Sequence, residues 1–569
     1  MKETEKNIIY SHVLPEIEDW PIYKLSEDRR RFVKEIEQHA LEHFMQKDAA
    51  TLRDIIAKTV YLERIRIKEE PWKVDPPKER QFWKKIRRQL VAHSLDSEEA
   101  AATEAHRQIL QQILHRYAEE IVGTFNKKTF LFARKFLTMF FTRLLNTAAG
   151  KSIWGSKHRL YDRMLVRGDI EKVQNLFNRG NIVVVPTHSS NLDSILIGYA
   201  LDTFAGLPSF SYGAGLNLYN AGFAAYFMNR LGAYRVDRRK KNTIYLETLK
   251  TMSNLSIQRG VNSLFFPGGT RSRSGELESK LKLGLLGTVL QAQRELYAKG
   301  ENTKVFVIPL VLSYHFVLEA PFLIEQHLRR MGKERYFRSK DDFNNVWKVL
   351  QFAWKFFSKS NTITVSFGQP LDVLGNEVDA EGNSFDQYGN LIDVREYFQW
   401  RGEIKPDAQR ENEYTKILAE KIVERYYKDN IVLSSHLVSF AAFQILQREN
   451  AKLDLYGILR LPTDDFVFEK EIMQSVVGQL QVTLTDMEQA GKVKLSEQIS
   501  WPVDDLIADG IKRLGNYHLQ KPLKYNKKGE IISESFKLLY FYHNRLGNYD
   551  LQGKIKWKKT AVGLAKADF

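Results

Sequence analysis

The stretch Ile182-Val183-Val184-Val185-Pro186-Thr187-His188-Ser189-Ser190-Asn191-Leu192-Asp193 decides the fold. Its first four residues are a β-branched run suited to a buried strand. Pro186 and Thr187 lead out of it, and the apolar residues 192–201 that follow read as a helix. Working outward, residues 243–258 have helical texture and run into a second apolar stretch, Ser263-Leu264-Phe265-Phe266. Val305-Phe306-Val307-Ile308-Pro309-Leu310-Val311-Leu312 reads as a third strand and residues 362–367 as a fourth. Strands separated by helical segments predict an α/β fold, a central sheet with helices on its faces. In such sheets the chemistry sits where strands end and loops begin.

The flanks differ in texture. Residues 1–150 are charged, poor in glycine and helical in pattern, with runs at 35–53 and 98–120 and breaks at Pro71-Trp72 and Pro76-Pro77. They are expected to form a helical accessory domain, and residues 151–375 the α/β domain. Residues 376–395 form a turn-rich insert, with Glu381-Gly382-Asn383 and Tyr388-Gly389-Asn390 spaced like two hairpin tips. A calcium loop does not fit there, because Gly382 stands fourth, counting Asp379 as first, instead of sixth. From 396 to 569 the texture is helical again, with residues 426–447 read as the longest helix and its loop, and no solenoid-type repeat is evident.

At 569 residues the chain is too long for one core, and 43% hydrophobic with 27% charged residues excludes wholesale disorder. The 85 Lys and Arg exceed the 69 Asp and Glu, and the net charge of +16 favours anionic partners: phosphorylated ligands, lipid headgroups or nucleic acid. There is no cysteine, which excludes disulfides, thiolate metal sites and a thiol nucleophile. The N-terminus is charged and leads into no apolar run, so no secretory signal is expected, and no stretch approaches the roughly 20 apolar residues of a membrane span. Between 121 and 161 there is no acidic residue. Lys127, Lys128, Arg134, Lys135, Arg143, Lys151, Lys157 and Arg159 fall there, interleaved with Phe130, Leu131, Phe132, Phe136, Leu137, Met139, Phe140 and Phe141. Such a segment suits the headgroup layer of an anionic membrane. A core helix with a basic outer face is the alternative.

Three constellations carry chemistry. His188 and Asp193 stand five apart across a strand-to-helix junction, where Asp193 can accept a hydrogen bond from the ring, fix its tautomer and stabilise the imidazolium. His188 could then take a proton from a substrate hydroxyl. Among 13 histidines, a buried structural pair of the same spacing is the competing explanation. The second constellation is Gly232-Ala233-Tyr234-Arg235-Val236-Asp237-Arg238-Arg239-Lys240-Lys241, a phosphate clamp or a solvated basic turn. The third is Phe266-Pro267-Gly268-Gly269-Thr270-Arg271-Ser272-Arg273, a glycine turn with hydroxyls and guanidiniums. It suits an anion but lacks the Gly-Lys-Ser/Thr ending of a P-loop.

In order and combination these segments resemble the motif blocks of the glycerolipid acyltransferase superfamily, most closely its glycerol-3-phosphate acyltransferase branch. His188 to Asp193 match the His-x4-Asp block, Gly232 to Arg238 the second block, Phe266 to Arg273 the Phe-Pro-Glu-Gly-Thr-Arg-Ser block, and Val307 to Tyr314 the fourth. Gly213-Ala214-Gly215-Leu216-Asn217-Leu218 with Ala221-Gly222, Asn430-Ile431-Val432-Leu433-Ser434-Ser435 and Leu538-Leu539-Tyr540-Phe541-Tyr542-His543-Asn544 also look like that branch. The resemblance covers about 180–320, continues faintly from 400 and leaves out the first 120 residues. Two positions depart from it: Gly268 stands where the family has glutamate, and His315 where it has an acidic residue, with Glu319 following.

The resemblance implies an α/β fold with a glycerolipid-acyltransferase-type central sheet and helical N- and C-terminal regions. It implies a general base, His188, supported by Asp193, with Arg235, Arg238, Arg271 and Arg273 holding the acceptor phosphate beside Gly269, Thr270 and Ser272. The donor would be acyl-CoA or acyl carrier protein. The acceptor would be the sn-1 hydroxyl of glycerol 3-phosphate, at the first step of phospholipid synthesis. No metal, cofactor or covalent acyl-enzyme is required, and a peripheral place on the cytoplasmic face of an anionic membrane is expected. Gly268 leaves lysophosphatidate (sn-2) or another lipid acceptor open. The charge alone would also suit a nucleic-acid- or membrane-binding scaffold, but the cations cluster at strand ends and form no nucleic-acid module, so no nucleic acid is expected.

Overall fold

The computed structural model describes residues 8–93, 99–147, 164–216, 219, 222–331, 362–463 and 466–557. Its centre is a sheet of β1 (Met164–Arg167), β2 (Gly180–Pro186), β3 (Ser211–Gly215), β4 (Ala233–Val236), β5 (Ser263–Leu264), β6 (Lys304–Tyr314) and β7 (Ile363–Phe367), in the order β1-β7-β6-β2-β5-β3-β4. The five strands from β6 to β4 are parallel to one another. β7 is antiparallel to β6, and β1 runs parallel to β7.

The β-branched run of β2 sits in the middle of this sheet and is buried on both faces. Ile182 and Val184 pack with Leu196 and Ile197 of the following helix (Asp193–Thr203), with Phe204 just past its end and with Leu437 of the helix Ser434–Glu449. Val183 and Val185 face the other way, onto Leu286, Val289 and Leu290 of the helix Leu283–Ala298 and Ile422 and Tyr426 of the helix Ala408–Asp429. Covering both faces is why the run is continuously apolar instead of alternating. The four strands expected from apolar runs are all present, and the sheet adds three: β1, β3 and β4.

The N-terminal part is helical: Pro21–Glu27, Arg29–Met45, Ala49–Glu69, Glu79–His93, Glu99–Ile121 and Lys127–Thr147. The run expected at 35–53 is broken by Asp48, whose carboxylate accepts the Thr51 N–H at 2.8 Å and starts the next helix. Phe32, Ile36, Ile113, Leu114 and Tyr117 pack onto Ile244, Leu249 and Met252 of the helix Thr243–Gln258, which joins these helices to the sheet.

Past β7 the chain makes a small meander, β8 (Glu377–Val378), β9 (Ser384–Phe385) and β10 (Leu391–Ile392). Both expected hairpin tips are there, and each is an aspartate turn: Asp379 Oδ1 accepts the N–H groups of Glu381 and Asn383, and Asp386 Oδ1 those of Tyr388 and Asn390. The same Asp-x-x-Gly-Asn turn also occurs at Asp372, which accepts from Leu374 and Asn376, so the turn recurs at a seven-residue spacing (372, 379, 386).

The expected long helix at 426–447 is in fact two helices. The chain leaves the first at Asp429, and Ile431–Val432 pairs in parallel with Lys494–Leu495 before the second begins at Ser434. Buried Asn430 holds the break, accepting from Arg545 at 2.9 Å and donating to Tyr549 at 3.1 Å. The C-terminal region also contains a three-stranded sheet of Val467–Phe468, Ile531–Ile532 and Lys524–Tyr525 among its helices.

Candidate active site

β2 delivers His188 to the sheet's C-terminal edge. The Thr187 N–H donates to Leu310 C=O at 2.9 Å, keeping the chain paired with β6 up to the residue before the histidine. The chain then turns, and Asp193 begins the next helix. Its carboxylate is fully buried: Oδ2 accepts the N–H groups of Ser189 at 2.7 Å and Ser190 at 2.9 Å, and Oδ1 accepts the Tyr314 hydroxyl at 2.6 Å. The same Oδ2 lies 2.9 Å from His188 Nδ1. A carboxylate so surrounded by donors makes Nδ1 the protonated nitrogen and leaves Nε2, on the opposite edge of the ring, with its lone pair available. The ring stacks on Phe266 with centroids 4.1 Å apart, and its peptide is held on both sides: His188 N–H donates to Glu278 Oε1 at 2.7 Å, and Ser272 N–H donates to His188 C=O at 2.8 Å.

His188 opens onto a cleft of about 580 Å³ lined by Arg238, Lys241, Gly269, Thr270, Arg271, Arg273 and Lys282 on its charged side, and by Tyr212, Leu246, Leu249, Phe266 and Leu285 on its apolar side. The cations are under-compensated. Arg238, Lys241 and Lys282 have no acidic partner among the described residues, and Arg273 donates to the neutral Gln326 at 3.1 Å. Arg238 is held below its ordinary value by desolvation and by Arg271, and Arg273 by desolvation and by Arg330, Arg271 and Arg238. Mutually repelling guanidiniums in one cleft form a site for an anion. Gly269 has φ +74°, a left-handed conformation that favours glycine, and the end of the Lys282 side chain lies over it, 2.7 Å from where a Cβ would stand.

Not every expected residue reaches this cleft. Arg235 turns away from it: its guanidinium donates to Asn229 Oδ1 at 2.6 Å and lies over the Tyr219 ring at 4.9 Å, because alternate residues of β4 point to opposite faces. Arg239 and Lys240 tie the strand end to the N-terminal part: Arg239, which also pairs with its neighbour Asp237, through Asp75 in the turn between two helices, and Lys240 through Glu120. Ser272 serves the loop, its hydroxyl donating to Glu276 C=O. His315 is buried away from the cleft, 2.9 Å from Ser435 Oγ, and burial holds it well below the usual histidine value. Asn217, Leu218 and Ala221 lie outside the described residues.

Three contributors were missed. Tyr314 closes the fourth block and Glu319 follows it, so both stood in the sequence next to a recognised motif but without a role assigned to them. Glu319 accepts from Ser190 Oγ at 3.0 Å and Asn191 N–H at 2.9 Å, and pairs with Arg271 at 3.2 Å, locking the first and third blocks together. Glu278 carries no motif at all.

Residues 167–313 match the family model described as Acyltransferase, and that segment runs from the end of β1 through nearly all of β6. That segment is similar to an acyltransferase domain, and the chain resembles the glycerol-3-phosphate branch of that superfamily. A glycerol-3-phosphate acyltransferase of Aeromonas hydrophila is 29% identical over 263 residues, 46% of this chain and 28% of that protein. One of Pseudomonas aeruginosa is 26% identical over 287 residues, 50% of this chain and 30% of that protein. One of Shewanella sp. (strain MR-4) is 24% identical over 404 residues, 67% of this chain and 44% of that protein. The matched part is thus less than half the length of each of these relatives. The acyltransferase segment contains His188, Asp193 and all the cleft arginines, whereas Tyr314 and Glu319 lie just beyond its end.

Proposed function

We propose that this acyltransferase moves a fatty acyl group from a thioester of coenzyme A or acyl carrier protein to the sn-1 hydroxyl of glycerol 3-phosphate. The observation that carries the reading is one cleft holding both an oriented imidazole and the cations Arg238 and Arg273, which have no carboxylate partner among the described residues, beside Arg271. The arginines bind the acceptor's phosphate and place its hydroxyl at His188, converting an encounter into an intramolecular geometry. His188 Nε2 takes the hydroxyl proton as the oxygen attacks the thioester carbonyl. The C–S bond then breaks, and the imidazolium returns the proton to the departing thiolate. Asp193 stabilises the imidazolium in between. The apolar side of the cleft is suited to the acyl chain. No helix among the described residues is long and apolar enough to cross a membrane. A peripheral attachment at the cytoplasmic face accords with a lipid product and with the exposed apolar and basic side of the helix Lys127–Thr147.

The deciding experiment offers the purified protein labelled acyl-CoA or acyl carrier protein thioester, with glycerol 3-phosphate, lysophosphatidate or glycerol as acceptor. A 1-acyl product from glycerol 3-phosphate, with little from glycerol, is expected. Transfer to lysophosphatidate alone would replace the acceptor, and no transfer to any of them would overturn the reading.

A further inference from the structure

Position 268 is glycine, and its backbone gives no reason for that. The neighbouring Gly269 has a left-handed φ, but Gly268 does not, so any residue could adopt its conformation. The reason is space. A Cβ on residue 268 would lie 3.0 Å from Glu278 Cγ, 3.4 Å from Glu278 Oε1 and 3.6 Å from Glu278 Cδ. The carboxylate of Glu278 therefore occupies the volume into which a side chain at 268 would project. It is also held there for a purpose, because Oε1 accepts the backbone N–H of His188 at 2.7 Å.

The segment carrying Glu278 is fastened at both ends. Asn544 Nδ2 donates to Ser274 C=O at 2.9 Å, Leu277 is buried, and the Lys282 N–H donates to Pro267 C=O at 2.8 Å, folding the segment back onto the turn. With Ser272 on its carbonyl and Glu278 on its N–H, the peptide frame of His188 is clamped from the third-block loop.

We propose that Glu278 supplies, from ten residues further along the chain, the carboxylate that position 268 lacks, and that it is a positioning residue for His188. Gly268 and Glu278 are then a compensated pair: the glycine leaves room and the glutamate fills it. Besides fixing the backbone, a carboxylate at this place favours the imidazolium, adding to the effect of Asp193.

The test is an exchange. Gly268→Glu alone puts two side chains into one space, and Glu278→Ala alone leaves the His188 N–H without its acceptor. Each is expected to lower kcat about tenfold or more and to lower the thermal midpoint. The double variant is expected to recover most of both. Glu278→Gln keeps an acceptor for the N–H but loses the charge. It should hold the midpoint while moving the ascending limb of the kcat/KM–pH profile to lower pH, as the histidine becomes less basic. A double variant no better than the worse single one, or Glu278→Ala with unchanged kcat and pH profile, overturns the proposal. The catalytic readout rests on the acyl-transfer reading, but the midpoints do not. Restored melting in the double variant, with no transfer even by the wild type, would support the pairing and defeat that reading instead.

Discussion

A histidine acts as a base only in one tautomer and one orientation, and at position 188 both are set by a carboxylate that is itself saturated. Asp193 takes two backbone N–H groups and the Tyr314 hydroxyl before it meets the ring, so its charge and its angle are fixed in advance. His188→Ala should lower kcat by about 10²–10⁴ with the fold retained, and Asp193→Asn should act in the same direction. Tyr314→Phe removes one of four contacts and should cost only about two- to tenfold. Near-wild-type turnover by His188→Ala, with matched circular dichroism, would remove the base from the mechanism. The cleft cations separate by substrate. Arg238→Ala and Arg273→Ala should raise the acceptor KM more than the donor KM, whereas Arg235→Ala, whose guanidinium is spent on Asn229 and Tyr219, should leave the acceptor KM within about twofold. Equal effects of Arg238→Ala on both substrates would argue against a phosphate contact. The histidine, the aspartate, Arg238 and Arg273 could be picked out in the sequence because their chemistry lies in the side chains and their spacing, whereas Arg235 could not be told from them until its strand had folded. Glu278 could not, because its role depends on a space left by Gly268 that exists only once the loop has folded.

The elements that were legible are those whose stability is local or doubly buried. The runs 182–185 of β2 and 305–312 of β6 are continuously apolar because both faces are covered, and the helix Thr243–Gln258 has the bounds its pattern predicts, with Asn242 capping it by accepting the Tyr245 N–H at 2.8 Å. β3, Ser211-Tyr212-Gly213-Ala214-Gly215, has two glycines in five residues and becomes a strand only through its neighbours β4 and β5. The break at 430–433 escaped for the same reason, since Ile431–Val432 pairs with residues some sixty positions later. The helix Lys127–Thr147 was legible as basic and aromatic, but its faces were not. Phe130 packs on Trp20 and Phe125, Lys127 pairs with Glu18, and Arg134 pairs with Asp202, so these residues belong to the protein side. Lys128, Leu131, Phe132, Lys135 and Met139 form one exposed stripe at helical spacing, beside the exposed Tyr226. The side chains of Phe140, Phe141 and Arg143, and Lys151, Lys157 and Arg159, lie outside the described residues. Vesicle flotation should therefore rise with anionic lipid. The combined replacement Lys128→Gln, Lys135→Gln and Phe132→Ser should reduce it strongly, at roughly 1 kcal/mol per cation, with Lys127→Gln reducing it far less. Equal effects from Lys127→Gln and from the stripe would show that general charge, and not this face, makes the contact.

At the scale of the whole molecule, the site depends on a seam between the end of β6 and the C-terminal helices, and that seam is built with buried neutral histidines. His436 accepts the Leu433 N–H at Nδ1 and sits 3.0 Å from Tyr314 C=O at Nε2, so it donates there and braces the strand end that carries the Asp193 partner. His543 lies 2.9 Å from both Asn544 Oδ1 and Gln444 Nε2, donating to the first and accepting from the second. In each ring one nitrogen is an acceptor, and protonating it destroys a bond in a site that water does not reach. Burial accordingly lowers His436 to about 3 and His543 to about 4, from an ordinary 6.5. The sign follows. Below pH 6.5 the unfolded chain binds protons that the folded chain refuses, so the stabilisation is complete above 6.5 and is lost progressively as pH falls toward the folded values. Between pH 7 and 5.5 each histidine should cost about 1 kcal/mol of stability. Buried carboxyls act oppositely: burial raises Asp202 to about 6, and its protonation on acidification relieves a buried charge. The wild-type curve mixes these terms, so the informative quantity is a difference. His543→Gln keeps a donor and an acceptor but cannot titrate. Its stability, measured by urea unfolding or as an apparent thermal midpoint, should lie below wild type at pH 7.5 and approach it as pH falls to 5.5, by about 1 kcal/mol of closing gap. A gap that stays constant across that range would show that His543 binds its proton alike in both states, and the neutral seam would have to be abandoned.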